Sequence, residues 1–280
     1  MVKVSKTSPE VPVWKRVVGD FFVTWIWIAT SSFFSEIAAH FANKLQISEL
    51  SLNVILLVIG LACLSPVSKF LWGGNINPVN HIGSLVRGTM TLTDCIFRML
   101  GQLAGAVLGT LTAMAVVPLQ HQGRFHLLSG GLREGLAVEV GYACESALVF
   151  FMVLLSFYSS DHPEGEGYFL TLAPHLTTVA VVVIGSEVTG PSLNPYQSFV
   201  WNYVYTDNQH SLKEHVSVFW MGPLTGAVSA ALFWRYISPI KEVRKRDDAS
   251  SSSSSERSSR DKARGRAAAK AITTERNRAS

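Results

Sequence analysis

The chain has 280 residues, of which 48% are hydrophobic and only 16% charged, with a formal net charge of +4. The charges crowd into the two ends and leave a long apolar middle. That distribution excludes a soluble basic-faced nucleic-acid binder and points to a protein whose solvent is lipid.

A hydrocarbon core about 30 Å thick takes roughly 20 apolar residues per helix. Runs of that kind occur at 17–40, 49–71, 93–117, 133–158, 169–189 and 215–238 and predict six spans. The first is too long, and too polar at Asp20 and Glu36, to be a cleaved leader. Lys3, Lys6, Lys15 and Arg16 precede or open it, and Lys241, Arg244, Lys245 and Arg246 follow the last span. An even number of spans puts both basic ends on one side, which the positive-inside tendency makes the cytoplasm. The acidic loop SSDHPEGEGY, with Asp161, Glu164 and Glu166, falls on that side too. Beyond Asp247 the sequence turns to serine, arginine and alanine, with a serine run at Ser250–Ser255 and no apolar periodicity. A solvated tail is predicted there. The organisation is therefore an N-terminal tail over 1–14, a membrane domain over 15–240 and a basic tail over 241–280.

Cys63, Cys95 and Cys144 lie inside predicted spans without paired spacing, and the eight histidines are scattered. No metal or other cofactor is predicted. No nucleophile with its base and no phosphate-binding loop stands out, so no enzyme is expected.

The membrane domain repeats itself. GGNINPVN begins at Gly73 and GPSLNPYQ at Gly190; downstream of them come GQLAGAVLGTL from Gly101 and GPLTGAVSAAL from Gly222. The two halves, about 15–125 and 132–240, each hold three spans, and an odd number forces the second copy to insert upside down. In each half a glycine-rich turn leads to an Asn-Pro pair and a run too short to cross a bilayer. Asn77 and Asn194 suit the N-cap, and Pro78 and Pro195 the first helical turn. Two half-helices entering from opposite faces would meet N-terminus to N-terminus near the midplane, presenting positive dipole ends and amide donors to whatever passes between them.

The paired Asn-Pro loops in an inverted repeat resemble those of the aquaporins, the major intrinsic protein family, over roughly residues 15–240. TGPSLNP at Thr189–Pro195, the GD-x-x-x-T-W opening at Gly19–Trp25, FVWNYVY after the second motif and the basic ends are most similar to the plant small basic intrinsic branch. The resemblance implies an all-α fold of six membrane helices plus two re-entrant half-helices, a homotetramer with one pore per protomer, and water or small neutral solutes as cargo. It further implies an endoplasmic reticulum membrane, with the plasma membrane as the alternative.

Where the family reads Asn-Pro-Ala, this chain reads Asn77-Pro78-Val79 and Asn194-Pro195-Tyr196. Aligned on the asparagines, the family's outer constriction falls on Leu57, Val182, Pro191 and Gln197, with no arginine and no histidine. Three apolar walls and no fixed cation weaken both hydrogen-bond guidance and the charge barrier. Tyr196 is expected either to narrow the pore or to swing away from it. The resemblance gives Asp20 and Glu139 a structural role as buried acids that accept hydrogen bonds from the dipping loops. Glu36 and Glu187 lie near span ends and can reach water, Glu145 lies in mid-span without an evident partner, and His81 is expected to pack against a neighbouring helix or face the pore. A passive channel leads the readings; a pore-closed scaffold and a proton-coupled transporter remain as alternatives.

Overall fold

The computed structural model describes residues 11–161, 168–205 and 210–238. The N-terminal residues 1–10, most of the acidic loop and the predicted tail lie outside that set. Met1–Trp234 form one compact unit and Arg235–Ser280 a second, of which only residues 235–238 are described. All regular structure among the described residues is helical: α1 Val13–Leu45, α2 Glu49–Phe70, α3 Pro78–Arg87, α4 Leu92–Val116, α5 Val138–Asp161, α6 Tyr168–Gly185, α7 from Pro195–Phe199 on through Val200–Val204, and α8 Leu212–Ile237. Short 3₁₀ turns at Leu119–His121 and Phe125–Ser129 fill the connection between the halves.

Five of these, α1, α2, α4, α5 and α8, are long and apolar enough to cross a membrane. The fifth predicted span is the 18-residue α6, which carries Pro174 inside it. It stops at Gly185 rather than 189 because the chain turns there, with the Val188 amide bonded to the Gly185 carbonyl at 2.9 Å. The fourth span begins at Val138 rather than 133 because Gly131 and Arg133 donate their backbone N–H groups to Thr189 and Val188. The ends are cut by ordinary capping chemistry. The Ser48 hydroxyl accepts from the Ser51 amide, Thr91 accepts from Asp94, and Gln46 closes α1 in the left-handed conformation.

The two small-residue stripes press whole helices together. A Cβ at Gly105 would stand 2.3 Å from the Phe21 carbonyl oxygen, and one at Gly226 would stand 2.3 Å from that of Ser146. Hence α4 lies directly on α1 and α8 on α5, at a backbone separation only glycine permits. Each pair carries a cross-helix hydrogen bond as well: Trp25 Nε1 to Thr112 Oγ1, and Tyr142 Oη to Thr225 Oγ1, both 3.0 Å. Large apolar side chains such as Phe70, Phe151 and Leu232 remain exposed on the outer surface, as lipid-facing residues should. The two pairs leave a central space, into which α3 and α7 dip.

Candidate functional site

The first dipping loop turns through Trp72 at φ 55° and Gly73 at φ 74°. Asn75 then becomes its fastening point. Its backbone N–H donates to Asp20 Oδ1 at 2.6 Å, while its carbonyl accepts from Thr24 Oγ1 at 3.1 Å and Gln102 Nε2 at 3.0 Å. Its side-chain oxygen accepts from the Asn77 amide and from Asn80 Nδ2, each at 3.0 Å. Asp20 is wholly buried and also meets Arg98 Nε at 2.7 Å, Arg98 Nη2 at 2.8 Å and His81 Nε2 at 2.8 Å. His81, expected to pack or face the pore, is thus a buried partner of the acid that holds the loop. Four residues before Asp20 and Arg98 on their helices, Arg16 and Asp94 form a second ion pair at 2.8 Å with the signs exchanged.

The second loop turns through Gly190 at φ 45° and Leu193 at φ 55°. Here the sequence expectation needs correction. Glu139, expected as the second buried acid, has a side chain 77% exposed and lies 3.9 Å from Lys213. It sits in the first turn of α5, where the helix has only just left the surface. Six residues deeper, Glu145 takes the role: it is fully buried, accepts from Thr189 Oγ1 at 2.9 Å, and accepts from the Leu193 amide at 3.2 Å. The signal was in the sequence, because a carboxylate in the middle of a span must find donors. Asn75 and Gln102 had no such mark, whereas Arg98, a charge inside a span, did. Glu36 accepts from the Arg124 amide at 3.2 Å, while Glu187 is exposed.

The half-helix starts face each other. Asn77 caps α3 by accepting from the Val79 amide at 3.1 Å, and Asn194 caps α7 by accepting from the Tyr196 amide at 3.0 Å. Each amide nitrogen then reaches across the midline. Asn77 Nδ2 donates to the Leu193 carbonyl at 2.9 Å, and Asn194 Nδ2 donates to the Ile76 carbonyl at 2.8 Å. An amide NH₂ has two hydrogens, and this reciprocal pair uses one on each side.

Both asparagines line a continuous cavity of about 470 Å³. Leu57, Val182, Pro191 and Gln197, the residues aligned with the outer constriction, line the same cavity. Leu57 comes from α2, Val182 from α6, and the other two from the second loop and α7, so four separate segments converge. Pro78, Val79, Pro195 and Tyr196 do not line it; they fix the half-helices from behind. Val79 is fully buried with Val149, Val153 and Ala227, and Tyr196 is packed edge-on to Trp220, with ring centroids 5.9 Å apart. Tyr196 therefore turns away from the cavity. The two half-helices also end differently: α3 closes on Gly88 in the left-handed conformation, whereas α7 widens into a π-helical turn over Val200–Val204.

These features agree with what comparison with known proteins finds. The family model described as "Major intrinsic protein" matches residues 7–234. Aquaporin SIP1-1 of Arabidopsis thaliana is 30% identical over 241 residues, covering 84% of this chain and 97% of its own length. Human Aquaporin-5 is 33% identical over 180 residues, 62% of each chain. The X-ray structure of the aquaglyceroporin from Plasmodium falciparum superposes with a TM-score of 0.66 at 18% identity, covering 83% of this chain and 100% of that one, which speaks for the fold alone. With an inverted pair of facing Asn-Pro half-helices around one cavity and a family match across most of its length, the chain belongs to the major intrinsic protein family.

Proposed function

We infer that the chain is a passive membrane channel for water and small neutral solutes, conducting through the cavity between α3 and α7. The observation that carries this reading is the reciprocal bond pair Asn77–Leu193 and Asn194–Ile76 at the middle of that cavity. It holds two half-helix starts face to face and leaves one amide N–H on each asparagine for a passing oxygen. Two positive dipole ends at the same point oppose cations, the electrostatic logic by which such pores reject charge. Leu57, Val182, Pro191 and Gln197 act as the outer constriction. With one amide and three apolar walls, it supplies less competition for the solute's hydrogen bonds than a fixed cation would, so neutral solutes larger than water pass as well. The reaction class is permeation, with no chemistry, no cofactor and no nucleic acid partner. The channel domain spans 15–240, works as a homotetramer in the endoplasmic reticulum membrane, and has both termini in the cytoplasm.

Stopped-flow light scattering on proteoliposomes tests the reading, with water, urea, glycerol and hydrogen peroxide compared. Osmotic shrinkage faster than in empty liposomes, with a low activation energy, supports it. Asn194→Leu removes the donor and should return flux to the empty-liposome level while the protein still inserts. Folded wild-type protein with no flux would replace the channel by the scaffold reading.

A further inference from the structure

Beside the outer mouth, two buried histidines form a chain of hydrogen bonds whose direction is fixed at both ends. Trp220 Nε1 donates to His215 Nε2 at 3.0 Å, His215 Nδ1 lies 3.2 Å from His210 Nδ1, and His210 Nε2 lies 2.8 Å from the Gly130 carbonyl oxygen. An indole N–H only donates and a carbonyl only accepts. His215 must therefore accept at Nε2 and carry its proton on Nδ1, and His210 must accept at Nδ1 and donate from Nε2 to Gly130. Both rings are neutral in this arrangement. A second proton on His215 would face the Trp220 N–H, and one on His210 would face the His215 N–H.

What the chain holds is the rim of the candidate pore. The next amide, Gly131 N–H, donates to the Thr189 carbonyl at 2.8 Å, one residue from the Gly190–Pro191 segment that lines the cavity. Just upstream, Leu127 and Leu128 line the cavity themselves, and the Leu128 carbonyl accepts from Gln197 Nε2 at 3.5 Å. Gly130 sits at φ 78° against the Phe219 ring, on which His210 stacks with centroids 4.4 Å apart. Asn202 Oδ1 accepts from the His210 backbone at 3.2 Å, while its buried Nδ2 has no partner among the described residues.

The acidic and basic side chains of the surrounding elements, His126 apart, are engaged elsewhere. On α8, Lys213 lies 3.9 Å from Glu139 of α5, and Glu214 accepts from the Leu132 amide at 3.1 Å. Glu145 of α5 is bonded to Thr189 and Leu193. In the connecting segment Arg133 lies 3.5 Å from Glu187; Ser129 Oγ lies 3.5 Å from His210 Nε2 and donates to the backbone carbonyl of half-buried His126, a bond that does not engage the His126 ring. From α7 the Tyr203 ring faces His215 at 4.8 Å.

We propose that His210 and His215 are positioning residues for the outer constriction: their one-way chain fixes the 125–131 segment, and through it Pro191 and Gln197, and a proton added to either ring releases it. This deepens the channel reading and rests on it, adding a site and its chemistry: an imidazole pair that tunes solute selectivity.

The test uses full-length protein in proteoliposomes, reading the water-to-glycerol permeability ratio at about pH 7.5 and about pH 4, the lower value reaching well past the ordinary imidazole range. The wild type should lose discrimination at the lower pH by about threefold or more, the scale of one hydrogen bond. His210→Phe keeps the stacking on Phe219 but cuts the chain, so it should show the relaxed ratio at both pH values. A wild-type ratio that stays flat, or a folded His210→Phe protein with the wild-type profile, overturns the proposal. If His210→Phe does not fold, His215→Phe is read in its place, because the wild-type profile alone does not separate the pair from His175, which lines the cavity itself. If the wild type conducts nothing, the channel reading fails, and amide exchange of peptides spanning 125–133, corrected for intrinsic rate, still decides the latch. Protection at the higher pH that drops about tenfold at the lower one supports it; unchanged protection overturns it.

Discussion

The two halves of this molecule solve one problem, holding a dipping loop inside a membrane, with different chemistry. In the first half the anchor is ionic: Asp20 lies between Arg98 and His81, and the exchanged Arg16–Asp94 pair sits one turn away. In the second half the anchor is a single acid, Glu145, served by one hydroxyl and one backbone amide. The parts that stay equivalent are the glycine contacts that bring the helix pairs together and the crossed asparagine bonds at the centre. Symmetry persists where both copies must meet at one point, and has relaxed where each loop only has to be held.

Removing the acid is the strongest way to break that comparison. Asp20→Asn leaves Arg98 buried without its counter-charge, a loss on the order of 3–5 kcal/mol. It should give the largest fall in unfolding temperature of any single change discussed, measured on purified protein in detergent. Glu145→Gln strands no cation and keeps one acceptor, so it should cost roughly 1–3 kcal/mol. Equal losses from the two variants would mean that the ionic and neutral anchors are not different in kind.

The shared part is tested by Gly105→Ala and Gly226→Ala. Each new methyl would meet a carbonyl oxygen 2.3 Å away, backbone that cannot rotate aside. Each should cost about 1–3 kcal/mol, as overpacking does, and the two costs should match within experimental error. A large inequality would show that the helix pairs are not equivalent despite the matching stripes.

Much of this was legible in the sequence because it rests on signals that composition and spacing carry. Apolar runs of membrane length gave the crossing helices, and the repeated Asn-Pro pair located both half-helices and the residues that face each other. What stayed hidden depends on depth and rotation. Glu139 and Glu145 lie on one helix six positions apart, and only packing tells which reaches the loop. Gln102 looks like an ordinary polar interruption of a span, and Arg98 a charge without an assigned partner, until α4 is seen pressed on α1. The outward turn of Tyr196 depends on the space beside Trp220, which no local pattern encodes. The Trp220–His215–His210 chain joins residues on α8 and the preceding segment to a glycine in the connection between the halves, a contact with no sequence spacing of its own.

The smallest expected effect concerns the four residues proposed as the outer constriction, to which both halves contribute. Leu57 comes from the first repeat and Val182, Pro191 and Gln197 from the second, and Gln197 supplies the only amide side chain among the four. Gln197→Arg adds a cation and several donors at that point, next to the Leu128 carbonyl that already accepts from it. A fixed positive charge binds water strongly and leaves less room for a carbon-bearing solute. The water-to-glycerol ratio should therefore rise, by about two- to tenfold if the change is worth about 0.4–1.4 kcal/mol at the barrier, with water flux itself little altered. The direction matters more than the size. An unchanged ratio in folded, conducting protein would place the narrowest point elsewhere along the cavity, and the second repeat would then hold the loop without setting what passes it.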